Sequence, residues 1–237
     1  MNSSEIANLI SGDVGDKFKI SVKRGDETKD FEVELDKIEI KSVFSEIKEV
    51  NGKKIGYINI NNFASNTYKQ FKSVLKDVEK NNIDSLIIDV RNNTGGHLSQ
   101  VKNILSVFFD KKTVLFQIQN KKKTTKYYGS GDNKKTYPVV VLVNGGSASA
   151  SEVLASCFKD NYKDATLVGV TTYGKGTVQQ TKSLSEGSSF KFTTEKWLTS
   201  KGDWINEKGI EPDVVVENDP ESDVDAQLDK AIELLSK

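Results

Sequence analysis

A mixed α/β fold follows from two features of the sequence. Leu86-Ile87-Ile88-Asp89-Val90 and Val139-Val140-Val141-Leu142-Val143 are almost apolar on both faces, as strands in the middle of a covered sheet are. Between and around them, Tyr68, Phe71, Val74, Leu75 and Val78, then Leu98, Val101, Ile104, Leu105 and Phe108, recur at helical spacing. Strands separated by helices call for a sheet with helices packed on it.

The elements follow in order. Ser3 to Ile10 reads as a short capped helix with Ile6, Leu9 and Ile10 on one side, ended by Gly12 and Gly15. Phe18, Ile20 and Val22 alternate with polar residues, Arg24 to Glu27 makes a turn, and Phe31, Val33 and Leu35 alternate again, which predicts a hairpin. A helix and a hairpin of roughly forty residues bury too little to stand alone, so residues 1–42 read as the tail half of a small β-rich module or as an appendage. A larger region, 43–218, opens with a second hairpin at Asn51-Gly52, a dipeptide suited to a type I′ turn. After the helix and strand already named, and a further helix, Val114 to Ile118 is a strand. A polar excursion from Gln119 to Thr136 carries Lys121-Lys122-Lys123, read as a solvated hairpin. Beyond Val139 to Val143 come a helix from Ser151 to about Lys159, a strand from Thr166 to Val170, and strands near Phe190 to Trp197 and Val214 to Val216. Residues 219–237 hold an amphipathic helix through Val224, Leu228, Ala231, Ile232 and Leu235, begun by Ser222 or Asp223.

Composition limits the functions available. In 237 residues, 34 Lys and Arg balance 34 Asp and Glu for a net charge of +0, so no global field favours nucleic acid. The single cysteine, Cys157, lies among Val153, Leu154 and Phe158 as a small buried hydrophobe, and it supports neither a disulfide framework nor a thiol-ligated metal. One histidine, His97, leaves no metal ligand set. No stretch reaches the length of a membrane span, and the N-terminus lacks a basic-then-apolar leader. A membrane anchor is expected only if the natural protein extends upstream. Arg24 and Arg91 are the only arginines, and Arg91 lies inside a motif.

Chemistry concentrates in three glycine-rich segments. Ser149 stands on the turn between the strand at Val139 and the helix at Ser151, where a helix N-terminus presents unpaired N–H groups that suit an oxyanion. Ala150 N–H lies beside it. A plain helix cap is the alternative. Arg91-Asn92-Asn93-Thr94-Gly95-Gly96 also joins a buried strand to a helix, so Gly95 or Gly96 can supply a second donor, with a simple helix entry as the alternative. Lys175 sits between Gly174 and Gly176. A surface lysine is the ordinary reading, but a lysine confined by glycines and stripped of its proton by burial acts as a base. Gln179, uncharged and four residues on, suits steering it. His97 is the rival base for Ser149.

The strings IIDVRNNTGG, VVVLVNGGSASASEVLA, GVTTYGKGTVQQ and TTEKWLTSKGDWINEKGIEPDVVV, in this order, resemble the carboxyl-terminal processing peptidases, tail-specific serine proteases of the S41 group. The resemblance covers nearly the whole chain. It implies a ββα-superhelix core like that of Clp-type proteases and crotonases. It makes Ser149 the nucleophile, Lys175 the general base, Gln179 its orienting residue, and a backbone N–H of Gly95 or Gly96 with that of Ala150 the oxyanion hole. No cofactor and no metal are implied. Protein or peptide substrates with unstructured apolar C-termini, and an extracytoplasmic or cell-envelope setting, are. Residues 1–42 resemble the C-terminal half of the family's PDZ domain, without the front half that carries the carboxylate-binding loop. The spacing from Ser149 to Lys175, 26 residues, exceeds the family pattern by one, with slack in Asp160 to Ala165. Ser200 and Glu195 stand where that pattern has a proline and an alanine. The alternative function is a non-catalytic peptide-binding or scaffold protein on the same core, its dyad misaligned.

Overall fold

The computed structural model describes residues 5, 6, 9–37, 39–132, 135–184 and 188–237. The chain forms two compact units, Met1–Ile40 and Lys41–Lys237. In the first, β1 (Lys17–Arg24) and β2 (Glu27–Glu34) pair antiparallel, with Arg24 opposite Glu27. Phe18 faces Val33 and Ile20 faces Phe31, so the alternating apolar residues gather on one face of the ribbon. Residues 5, 6 and 9 are helical. The remainder of the helix expected over Ser3 to Ile10 lies in part outside the described residues.

The second unit is built on a six-stranded sheet in the order β12-β9-β8-β5-β4-β3. Its strands are β3 (Val43–Val50), β4 (Lys53–Ile60), β5 (Ser85–Asp89), β8 (Val139–Val143), β9 (Ala165–Gly169) and β12 (Val214–Val215). The β3–β4 hairpin is antiparallel and every other pairing parallel. Asn51 and Gly52 take positive φ, 52° and 77°, as a type I′ turn requires. A four-stranded sheet, β10-β11-β6-β7, stands apart, made of β6 (Val114–Gln119), β7 (Thr124–Tyr128), β10 (Thr177–Ser183) and β11 (Ser189–Leu198).

Strand alternation sorts the central residues into two cores. Leu86, Ile88, Val139, Val141 and Val143 face α1 (Thr67–Glu79), α2 (Leu98–Leu105) and α3 (Ala150–Asn161), whose Phe71, Val101, Leu154 and Phe158 complete the larger core. Ile87, Val140 and Leu142 face the other way, onto Ala231 and Leu235 of α4 (Ala226–Leu235). Both apolar runs therefore read as continuous because each of their faces is covered.

Two elements depart from expectation. β10 has no apolar alternation to announce it, and it exists because its backbone pairs with β11. The cap of α4 is Asp225, which accepts the Leu228 N–H at 3.1 Å, rather than Ser222 or Asp223, because Arg91 holds Asp225 at the helix start.

Candidate active site

The three serines between Gly146 and Glu152 have different surroundings. Ser147 is fully buried, donates to Val90 O at 2.8 Å and accepts the Asn144 N–H at 3.0 Å. Ser151, also buried, donates to Asn93 O at 2.7 Å. Ser149 is half-buried, and no hydrogen bond ties its Oγ to another side chain among the described residues. Its backbone stands at φ 56°, ψ −111°, a conformation L-residues rarely adopt and one that costs about 1–3 kcal/mol. The turn therefore lifts this serine alone out of the packed surroundings of its neighbours.

The Arg91–Gly96 turn meets it. Asn92 N–H donates to Asn144 Oδ1 and Asn144 Nδ2 to Asn92 Oδ1, each at 2.9 Å, while Ala148 N–H donates to Asn93 O at 3.0 Å. Gly95 stands at φ 103°, and a Cβ there would lie 2.8 Å from Ala148 O and 2.9 Å from Ser149 Cβ, so only glycine permits the contact. Gly95 N–H is already bonded to Asn93 Oδ1 at 2.9 Å. Gly96 N–H and Ala150 N–H have no acceptor among the described residues. Of the two glycines expected as donors, Gly95 provides the close approach and Gly96 the open N–H.

The lysine loop is held by its backbone. Gly174 N–H and Lys175 N–H donate to Glu152 at 2.6 and 2.9 Å. Gly174 O accepts from Glu207 N–H at 2.8 Å, and Lys175 O from Trp197 Nε1 at 2.6 Å. Gly176 N–H donates to Asn206 Oδ1 at 3.1 Å, and Gly176 O accepts from Trp204 Nε1 at 2.9 Å. All six backbone polar groups are thus satisfied, which fixes the Lys175 Cα and leaves its side chain as the moving part.

Glu152 was missed in the sequence. Its fully buried carboxylate also accepts Ser149 N–H at 2.7 Å and Thr172 Oγ1 at 2.6 Å. Ser149 and Glu152 have the serine-to-glutamate spacing of a capping box, the one sequence signal that could have found it.

Ser149, Lys175, Gln179, Gly96 and Ala150 line one cavity of about 220 Å³. Gly95 is not one of its lining residues and packs close to Ala148, Ser149 and Ala150. Gln179 is exposed and reaches the cavity beside Val178 because the β10–β11 register slips there, Val178 facing Glu195 and Gln179 facing Thr193. No hydrogen bond joins Ser149 Oγ, Lys175 Nζ and Gln179 to one another among the described residues. His97 is exposed, precedes α2 and does not line the cavity. No group of three metal-ligating side chains stands together among the described residues.

Arg91 has a supporting place. It pairs with Asp89 at 2.7 Å, binds both carboxylate oxygens of Asp225 at 2.7 and 2.8 Å, and reaches Gln227 at 3.1 Å. The glycine turn is thereby tied to α4. Burial opposes the charge on Asp225, but bonds from Arg91, Asn218 and the Leu228 N–H outweigh it and bring the carboxyl down to about 2.

Fold and site together define a class, the mixed α/β proteins that raise a serine on a strand-to-helix turn against a glycine turn and a fixed lysine loop. Within it this chain belongs to peptidase family S41, which residues 54–216 match. It is 40% identical over 211 residues to the carboxy-terminal processing protease CtpB of Bacillus subtilis, covering 87% of this chain and 44% of that protein. It is 37% identical to CtpA of the same organism over 219 residues, covering 92% and 46%. The solved photosystem II D1 C-terminal processing protease superposes with a TM-score of 0.67 at 28% identity, over all of this chain and 64% of that one. The family expected from the four motifs is borne out, and the chain spans less than half the length of these two Bacillus relatives.

Proposed function

We propose that the chain is a serine endopeptidase of carboxyl-terminal processing type. The observation that carries this reading is the meeting of Ser149, Lys175, Gln179, Gly96 and Ala150 on one cavity, from three separate stretches of sequence. The uncharged Lys175 amine takes the Ser149 proton as Oγ attacks the scissile carbonyl. The N–H groups of Gly96 and Ala150 hold the oxyanion. The Lys175 ammonium then protonates the leaving amine, and water, deprotonated by the same amine, releases the acyl group and restores Ser149. Gln179 steers the amine without adding charge.

Protein substrates with unstructured apolar C-termini and an extracytoplasmic setting belong to this reading, as does residues 1–42 being the C-terminal half of a PDZ domain. The names of the relatives support processing of proteins at a carboxy terminus. A second reading, a peptide-binding scaffold with an unaligned dyad, is favoured by the absence of a hydrogen bond between Ser149 Oγ and Lys175 Nζ. Such bonds are often long before substrate arrives, which keeps the first reading ahead. Incubation with an unstructured polypeptide ending in apolar residues decides between them. Cleavage lost in Ser149→Ala and Lys175→Ala but kept in His97→Ala is expected. No cleavage by the unaltered chain selects the scaffold, and cleavage that survives Lys175→Ala removes the lysine from the mechanism.

A further inference from the structure

The Ser149 cavity has a second lysine on its wall, Lys191, and no carboxylate among its described lining residues. Lys191 lies on β11 opposite Thr181, and its side chain leaves the strand away from the stacked rings of Phe190 and Phe192, whose centroids are 5.2 Å apart. Leu98, Val153, Val178 and Trp197 form an apolar part of the wall, beside the uncharged polar side chains of Thr94, Thr177 and Gln179.

A second hollow on Lys175 differs in size and charge. It measures about 680 Å³ and is lined by Tyr173, Asn206 and the acidic Glu207. Thr94, Lys175 and Thr177 belong to both hollows, so the two adjoin at the proposed base. The smaller one, at about 220 Å³, lies below the ~300–1,000 Å³ of ordinary ligand pockets. It has room for one or two residues, and its chemistry suits an apolar segment bearing a negative charge.

We propose that Lys191 is a specificity-determining residue whose ammonium pairs with a substrate carboxylate one or two residues from the scissile bond. The apolar walls receive the adjoining side chain. This deepens the reading of Ser149 and Lys175 as the reacting pair and rests on it for the position of the scissile bond. The carboxylate comes from a chain terminus or from an Asp or Glu side chain, which the experiment separates.

Three short apolar peptides serve as probes, one with a free C-terminal carboxylate, one amidated, and one amidated after a final glutamate. Their affinities are measured by fluorescence anisotropy on Ser149→Ala protein, so the result does not depend on turnover. The free acid is expected to bind about fivefold tighter than the amide, the upper end for a solvent-accessible ion pair. Lys191→Gln abolishes that difference and Lys191→Arg keeps it. Recovery of affinity by the glutamate peptide assigns the carboxylate to a side chain, and failure to recover assigns it to the terminus. Lys191 is exposed, so its variants should share the parent's unfolding midpoint. Equal affinities for all three peptides, or an equal loss for all three in Lys191→Gln, overturn the proposal. Cleavage of the same peptides by otherwise unaltered chains supplies the separate check. A KM about fivefold higher for the free acid in Lys191→Gln, with kcat retained, is expected. Absence of Ser149-dependent cleavage counts against the catalytic reading while the binding comparison still decides Lys191.

Discussion

The backbone N–H groups of Ser149 and Lys175 end on one atom, Glu152 Oε2, at 2.7 and 2.9 Å. The turn that raises the serine and the loop that carries the lysine thus share a rigid anchor. Their relative position is set by a buried carboxylate and not by contact between the two side chains.

Replacement of that anchor should therefore disturb both partners. Glu152→Gln turns one acceptor into a donor facing N–H groups, leaving buried donors unsatisfied at about 1–3 kcal/mol each. A loss of about 3 kcal/mol in urea unfolding is expected, together with loss of the proposed cleavage. Unchanged stability would show that the four bonds are dispensable.

The serines between Gly146 and Glu152 should separate stability from activity. Ser149→Gly relieves the positive φ and is expected to gain about 1 kcal/mol while losing cleavage. Ser147→Ala removes the bonds to Val90 O and Asn144 N–H and is expected to cost about 1–3 kcal/mol. Chemical denaturation and a cleavage assay on both variants check this, and a destabilised Ser149→Gly would contradict the strain assigned to the turn.

Acid should loosen the tie between Arg91 and α4. The Asp225 carboxyl is held at about 2 in the folded chain, below the ~3.9 of a free aspartate. Its contribution is present above the unfolded value and lost as pH falls through the folded one. At pH 7 Asp225→Asn is expected to be about 1 kcal/mol less stable than the unaltered chain. Unfolding curves of the two should converge between pH 4 and pH 2. A constant gap down to pH 2 would place the stabilisation elsewhere.

Cys157 is fully buried, and burial pushes its thiol well above the usual range. Thiolate is the reactive form, so a maleimide should leave the native chain unlabelled and modify it in denaturant. Rapid native labelling would indicate opening of α3.

Most of the frame could be read directly from residues. The helices through Phe71 and Val101 and the strands at Leu86 and Val139 have periodicities that come from burial on one stripe or on both faces, and burial leaves its mark on local sequence. The same holds for the Asn51-Gly52 turn, where backbone conformation alone selects the residues. β10 escaped because Thr177 to Ser183 is polar throughout and its pairing with β11 is made by backbone atoms.

Ser149, Lys175 and Gln179 were all marked in the sequence, with the glycine turns and the order of motifs naming the family. Only the folded chain decided that Gly96 rather than Gly95 keeps an open N–H, that His97 stays off the cavity, and that Glu152 joins the two loops. The last depends on hydrogen-bond partners that meet across 20 or more residues of chain, as Glu152 meets Gly174. A sequence specifies the donors and acceptors, but their pairing exists only once the sheet has brought the turns at its strand ends together.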